Sequence, residues 1–238
     1  MIIPVIEARN VSKVLGAGAG QVRALKNIDL SIFGGKLTVL MGPSGSGKTT
    51  LLSILGCMLA PTEGSVFICG HATQGAPPER LATIRRQHIG FVFQSFHLFP
   101  TLTAEENVRL ALDVRAEQRR RAKDKSRQVL ERVGLSHKLK AFPRDLSGGE
   151  QQRVAIARAI VAEPSAILTD EPTAALDGAN GHAVMTILAG IARDHGRAVL
   201  VVTHDPRLLE FADRILYIED GALTHEERPG ANVYRLRA

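Results

Sequence analysis

Hydrophobic and polar positions divide the chain into stretches with different periods. The first reads mainly as strands: IPVIEA, then VRALKNIDLSI with partial period-two alternation, then the apolar run LTVLM, which stops at a glycine-rich loop. The run GAGAG, Gly16 to Gly20, separates the first two as a turn or hairpin tip. From Lys48, KTTLLSILGCM has helical spacing and is expected to end near Pro61. A short strand SVFICG follows, then a loop with Pro77 and Pro78, a helix carrying Arg85 and Arg86, and the buried-strand run IGFVFQ.

Between Thr101 and Ala162 the pattern turns helical, with no clear strand signal. Its middle, RAEQRRRAKDKSRQVLERVG, is highly charged, with Val129, Leu130 and Val133 as the apolar remnant. From Ala166 strands and helices alternate again: AILTD, a helix over roughly Gly181 to His195, AVLVVTH, a short helix after Pro206, and RILYIED. Strand–loop–helix units on both sides of a helical block predict a mainly parallel α/β core with an inserted helical lobe.

Composition narrows this picture only a little. The chain has 238 residues, 45% apolar and 23% charged, which is ample for a buried core and argues against disorder. Its 30 Lys and Arg against 24 Asp and Glu give a formal charge of +6, which favours anionic partners such as nucleotides, nucleic acid or an anionic lipid surface without choosing among them. Cys57 and Cys69 fit no metal-ligand spacing and read as buried structural thiols of a reducing compartment. No apolar run approaches the ~18 residues of a spanning helix. MIIPVIEARN lacks the basic start of a signal peptide and soon meets Glu7. The expectation is a cytoplasmic protein that touches a membrane only through a partner.

Candidate chemistry begins where LTVLM ends. Gly42, Pro43, Ser44, Gly45, Ser46, Gly47, Lys48 and Thr49, with Thr50 next, match the phosphate-loop pattern in its strand-then-helix setting. Glycines there let successive N–H groups point at phosphate oxygens, Lys48 adds positive charge near the β and γ phosphates, and the Thr49 hydroxyl suits Mg²⁺. AILTDEP then delivers two carboxylates at a strand's C-terminal edge. Asp170 is placed to hold Mg²⁺ through water, and Glu171 to accept a proton from attacking water. A second strand, AVLVVT, ends at His204, which should lie in the same sheet and reach the terminal phosphate.

LSGGEQQR, Leu146 to Arg153, offers a second anion site of a different kind. It has no Lys after its glycines, so it is not a complete phosphate loop. It does have Ser147 as an N-cap and Gly148 and Gly149 ahead of a helical run, so it presents N–H groups and a helix dipole to one anion.

In this order the motifs resemble the nucleotide-binding domain of ATP-binding cassette (ABC) proteins: GPSGSGKTT as Walker A, Gln94 in FVFQ as the Q-loop, LSGGEQQR as the signature, AILTDEPT as Walker B, AALD ending at Asp177 as the D-loop, and His204 as the switch histidine. The resemblance covers nearly the whole chain. It implies one domain over 1–238: an α/β phosphate-loop NTPase (RecA-like) core with an N-terminal antiparallel β subdomain and an inserted helical subdomain at about 95–162. It implies ATP and Mg²⁺ as cofactors, with Thr49, Gln94 and Asp170 at the metal and Glu171, His204 and Gln94 in catalysis. Ser147, Gly148 and Gly149 would meet the γ-phosphate of ATP held by a second subunit in a head-to-tail homodimer. Asp177 joins the nucleotide-binding set.

The stretch FVFQSFHLFPTLTAEENV looks most like the subgroup serving MacB-type and lipoprotein-releasing exporters and its cell-division relative. That implies a peripheral subunit on the cytoplasmic face of the inner membrane, an integral membrane permease as partner, and room for a periplasmic adaptor. Phe96, Leu98 and Phe99 fit either a groove for the partner's coupling helix or packing inside the helical lobe. Where many relatives stack an aromatic on adenine, this chain has Val14 and Leu15, so Val14 is the candidate base contact. Two other functions share the motifs: transmembrane signalling of the cell-division type, and a soluble nucleic-acid ATPase. The run RRRAKDKSR suggests the latter, but acidic residues interrupt it and it has no stacking aromatics, so no nucleic-acid partner is expected.

Overall fold

The computed structural model describes residues 3–229 and a short strand at 234–235. The extreme ends of the unit expected over 1–238, including Met1 and Ile2 of the opening segment, lie outside the described residues. The chain begins with β1 (Ile6–Leu15), β2 (Val22–Ile32), β3 (Leu37–Met41), α1 (Lys48–Leu55), β4 (Glu63–Ile68) and β5 (His71–Ala72). It continues with α2 (Pro78–His88), β6 (Ile89–Val92), α3 (Ala104–Asp113), α4 (Arg119–Arg132) and α5 (Gly148–Ile160). It then runs through β7 (Ala166–Asp170), α6 (Gly178–His195), β8 (Ala198–Thr203), β9 (Arg214–Glu219), β10 (Ala222–Glu227) and β11 (Tyr234–Arg235).

Two sheets result. The smaller is antiparallel, in the order β2-β1-β4-β5; the larger runs β11-β10-β9-β3-β8-β7-β6 and is parallel from β9 to β6. The strand sequences explain the difference. All six residues of β8 and four of the five in both β3 and β7 are buried, as strands covered on both faces must be. Alternate residues of these strands feed two separate cores. Leu40, Leu168, Leu200 and Val202 pack with α1 and the antiparallel sheet. Val39, Ile167, Val199 and Val201 pack with α5, α6 and the helical lobe. The lobe, α3 to α5, lies between β6 and β7. Val129, Leu130 and Val133, the apolar remnant of its charged stretch, are buried in its core.

Several boundaries move. α1 stops at Leu55, well short of Pro61, because Cys57 adopts a left-handed φ of 56° and closes a Schellman turn: Cys57 N–H donates to Ile54 O at 3.0 Å and Met58 N–H to Ser53 O at 2.9 Å. α6 starts at Gly178, three residues before the expected Gly181, because the Asp177 carboxylate caps it by accepting the Asn180 N–H at 2.8 Å. β10 extends the parallel sheet by an antiparallel edge that the apolar pattern does not announce, since ALTHEE carries little periodicity.

Entry to the lobe is fixed by one buried amide. Asn107 is fully buried; its Oδ1 accepts the Phe99 N–H at 2.8 Å, and its Nδ2 faces the carbonyls of Phe99, Leu102 and Thr103 at 3.1, 2.9 and 3.1 Å. Asn107→Ala strands those backbone groups and is expected to lower stability by about 2–3 kcal/mol, read as a lower urea midpoint with an unchanged slope.

Candidate active site

β3 hands the chain directly to the phosphate loop. Gly47 is the residue before α1, with φ of 99°, and a Cβ there would sit 2.6 Å from the Ala24 carbonyl oxygen. Only glycine tolerates both conditions. No side chain caps α1, so its first-turn N–H groups face the cleft with the positive end of the helix dipole. The cleft has a volume of about 850 Å³, and Pro43, Ser44, Gly45, Gly47, Lys48, Thr49 and Thr50 form its floor. Lys48 Nζ donates to the carbonyls of Gly42 at 2.8 Å and Pro43 at 2.7 Å. Burial pulls the Lys48 pKa down, against the opposing pull of the Glu171 and Asp170 carboxylates.

Those carboxylates come from the end of β7. Asp170 Oδ1 lies 3.5 Å from Thr49 Oγ1, and burial raises the Asp170 pKa despite that hydrogen bond. Among the described residues no group of three or more His, Cys, Asp or Glu side chains forms a metal cage. A hydroxyl, a carboxylate and the exposed Gln94, which lines the same cleft, fit instead a hard ion that brings most of its oxygen ligands as water and phosphate, as Mg²⁺ does. Glu171 adopts φ of 46°, an uncommon conformation for a non-glycine residue, and is held there from three sides. Its N–H donates to Val202 O at 2.9 Å, Thr203 Oγ1 donates to its Oε2 at 3.1 Å, and His204 Nδ1 lies 2.6 Å from its Oε1. His204 and Glu171 therefore act as one unit at the cleft wall.

Some expected site residues lie elsewhere. Val14 does not line the cleft; Leu15 and Val22 do, paired across the end of the β1–β2 ladder. Successive strand residues face opposite ways, and the Val14 N–H is bonded to Thr62 Oγ1 at 3.1 Å on the β4 side. Gly42 and Ser46 belong to the loop but stand behind its surface: the Ser46 hydroxyl is buried and without a partner. Asp177 caps α6 and lies outside the cleft. Arg23, Lys26 and Asp220, none of them singled out by the sequence, line it, and only the meeting of β2 with the β9–β10 turn brings them there.

Ser147, Gly148 and Gly149 also lie outside this cleft. They open α5, where Ser147 Oγ accepts the Glu150 N–H at 3.3 Å and Glu150 Oε2 accepts the Ser147 N–H at 2.8 Å. This capping box was legible as S-x-x-E, yet Glu150's half of it is not part of the motif reading. It satisfies the third helical N–H, while those of Gly148 and Gly149 have no acceptor among the described residues. Gly149 is needed for packing as well: a Cβ there would fall 2.4 Å from Asn180 Oδ1. From the same helix, buried Gln152 Nε2 donates to Pro172 O at 2.6 Å and so braces the turn that carries Glu171.

An uncapped glycine loop at one strand end, with a metal-suited carboxylate and a clamped Glu–His pair at its neighbours, defines a phosphate-loop nucleoside triphosphatase. The particular family follows from similarity. The chain belongs to the ABC transporter family, whose model matches residues 25–174, and it carries that family's ATPase cassette. The macrolide export ATP-binding/permease protein MacB of Salmonella choleraesuis is 44% identical over 92% of this chain, but the chain spans only 34% of that relative's length. The lipoprotein-releasing system ATP-binding protein LolD of Bordetella pertussis is 42% identical over 92% of this chain and 95% of its own. The dimeric structure of the cassette MJ0796, a Methanocaldococcus jannaschii protein, is 43% identical, covers 94% of this chain and 98% of its own, and superposes with a TM-score of 0.87. A second structure of MJ0796 holds ADP and Pi, with a TM-score of 0.86.

Gly47→Ala tests the loop's backbone. Strain of ~1–3 kcal/mol, at 1.4 kcal/mol per tenfold, predicts ATP affinity weaker by about tenfold or more, measured by nucleotide titration of the folded variant.

Proposed function

We propose that this chain is the ATP-hydrolysing subunit of a membrane exporter, working as a head-to-tail homodimer with two ATP molecules at the interface. The observation that carries this reading is the separation of the Ser147–Gly149 turn from the chain's own cleft. Its free N–H groups serve a phosphate only if a second copy presents one.

The residues divide the reaction among them. The phosphate-loop N–H groups and Lys48 hold the β and γ phosphates, and Leu15 and Val22 cover one face of the base. Thr49, Asp170 and Gln94 would hold Mg²⁺, which would offset charge on the phosphoryl oxygens. Glu171 takes a proton from water as the water oxygen bonds to the γ-phosphorus; the bond from phosphorus to the bridging oxygen breaks, giving ADP and inorganic phosphate, and Glu171 then returns its proton to solvent. His204, already against Glu171, fixes that carboxylate and reaches the γ-phosphate. The Asp177 segment sits at the start of α6, where it would contact the second copy.

No helix among the described residues is long and apolar enough to cross a membrane. A membrane partner has a suitable surface in a groove of about 620 Å³ between α2, β6, α3 and α5, lined by Phe91, the exposed Val114, Arg85, Arg86 and Arg115. Phe96 and Leu98 pack into the lobe's core, and Phe99 is half exposed. The nucleic-acid reading has less support, because the basic run on α4 is drawn into ion pairs: Arg121 and Lys125 with Glu117, and Arg127 with Glu105. Exporter and signalling roles share every catalytic group, and the membrane protein that co-purifies with the chain decides between them.

Glu171→Gln should lower turnover by roughly 10²-fold or more while the variant still binds ATP and forms a dimer on size-exclusion chromatography with light scattering. Ser147→Arg should abolish turnover yet leave ATP binding by the isolated chain intact. Full-rate hydrolysis by a monomeric Ser147→Arg variant would rule out a shared site.

A further inference from the structure

The loop that follows Gln94 is backbone-strained and clamped from a distance. Phe96 and His97 are consecutive non-glycine residues with φ of 59° and 48°, a left-handed pair that L side chains resist. Arg158, on α5 and about 60 residues away in sequence, holds both carbonyls: Nη1 donates to His97 O at 2.6 Å and Nη2 to Phe96 O at 2.8 Å. The Phe93 ring stacks on His97 at 4.7 Å. Arg158 is half-buried, and burial with no carboxylate beside it pulls its pKa down. A desolvated guanidinium spent on two carbonyls is a costly way to hold an ordinary surface turn.

The position of this contact gives it a use. Arg158 lines the groove beside α2 and β6, while Gln94, two residues before Phe96, lines the nucleotide cleft. We propose that Arg158 is a positioning residue for the ATPase reaction: its two-pronged grip keeps the 95–97 loop in its strained form and sets where Gln94 meets the metal. This rests on the role of Gln94 at Mg²⁺ proposed above. A planar fork with two parallel donors suits two neighbouring carbonyls, and a lysine ammonium, being a point charge, does not replace it.

The test uses the full chain assembled with its membrane partner. Steady-state ATPase is measured against free Mg²⁺, alongside Mg²⁺-free affinity for a fluorescent ATP analogue and the melting temperature. Arg158→Lys is expected to raise the Mg²⁺ concentration for half-maximal turnover by about tenfold, with analogue affinity within about twofold of the parent. Adding His97→Gly, which makes a positive φ intrinsically accessible, should recover much of that loss. Gln94→Ala should produce the same Mg²⁺ shift, and Arg158→Lys should add little to it. The proposal is overturned if Gln94→Ala shifts the Mg²⁺ dependence and Arg158→Lys does not, if the two effects multiply, or if Arg158→Lys only lowers the melting temperature. If Gln94→Ala itself leaves the Mg²⁺ dependence unchanged, the reading of Gln94 fails first and the role of Arg158 falls with it.

Discussion

A parallel sheet buried on both faces has nowhere along its length to put chemistry. Every residue of β8 is buried, and β3 and β7 admit an intermediate position only at their last residues, Met41 and Asp170. Polar function is therefore forced to the C-terminal edge, where the strands stop and their backbones must leave the sheet. Because β3, β7 and β8 are neighbours with matched ends, the phosphate loop, the Asp170–Glu171 pair and His204 emerge side by side. The cleft is a consequence of that register, and the flanking cores that bury the strands also hold it in place.

Two helix beginnings serve anions by opposite means. α1 starts from Gly47 with no side chain on its N–H groups, so its first turn is open to phosphate, and Lys48 supplies the charge. α5 starts from a full capping box, which uses one N–H and stabilises the helix by ~1 kcal/mol while leaving Gly148 and Gly149 unclaimed. The first arrangement builds a phosphate cradle within one chain. The second leaves two backbone donors facing away from the chain's own cleft, and the proposed dimer rests on them.

α5 is also the element through which the parts of the site are mechanically connected. Gln152 braces the turn after Glu171, Arg158 grips the loop after Gln94, and Gly149 packs against Asn180 at the start of α6. The strained backbone of Glu171, Phe96 and His97 persists because hydrogen bonds from α5 or from β8 hold each of these turns.

Much of this was legible in the sequence. The apolar runs LTVLM, AILTD and AVLVVT announce buried parallel strands, and the glycine loop, the acidic strand end and the Ser-capped helix announce their chemistry, because each depends on residues adjacent in the chain. What the sequence left open depends on residues far apart. Leu15 and Val22, in place of Val14, face the cleft because of a hairpin's register, and Ser46 turns inward because of what packs behind the loop. Arg158 finds the carbonyls of Phe96 and His97 only once the lobe folds against β6. Local backbone chemistry can be read from neighbours; which side chains meet across the fold is decided by packing, and packing exists only in the tertiary structure.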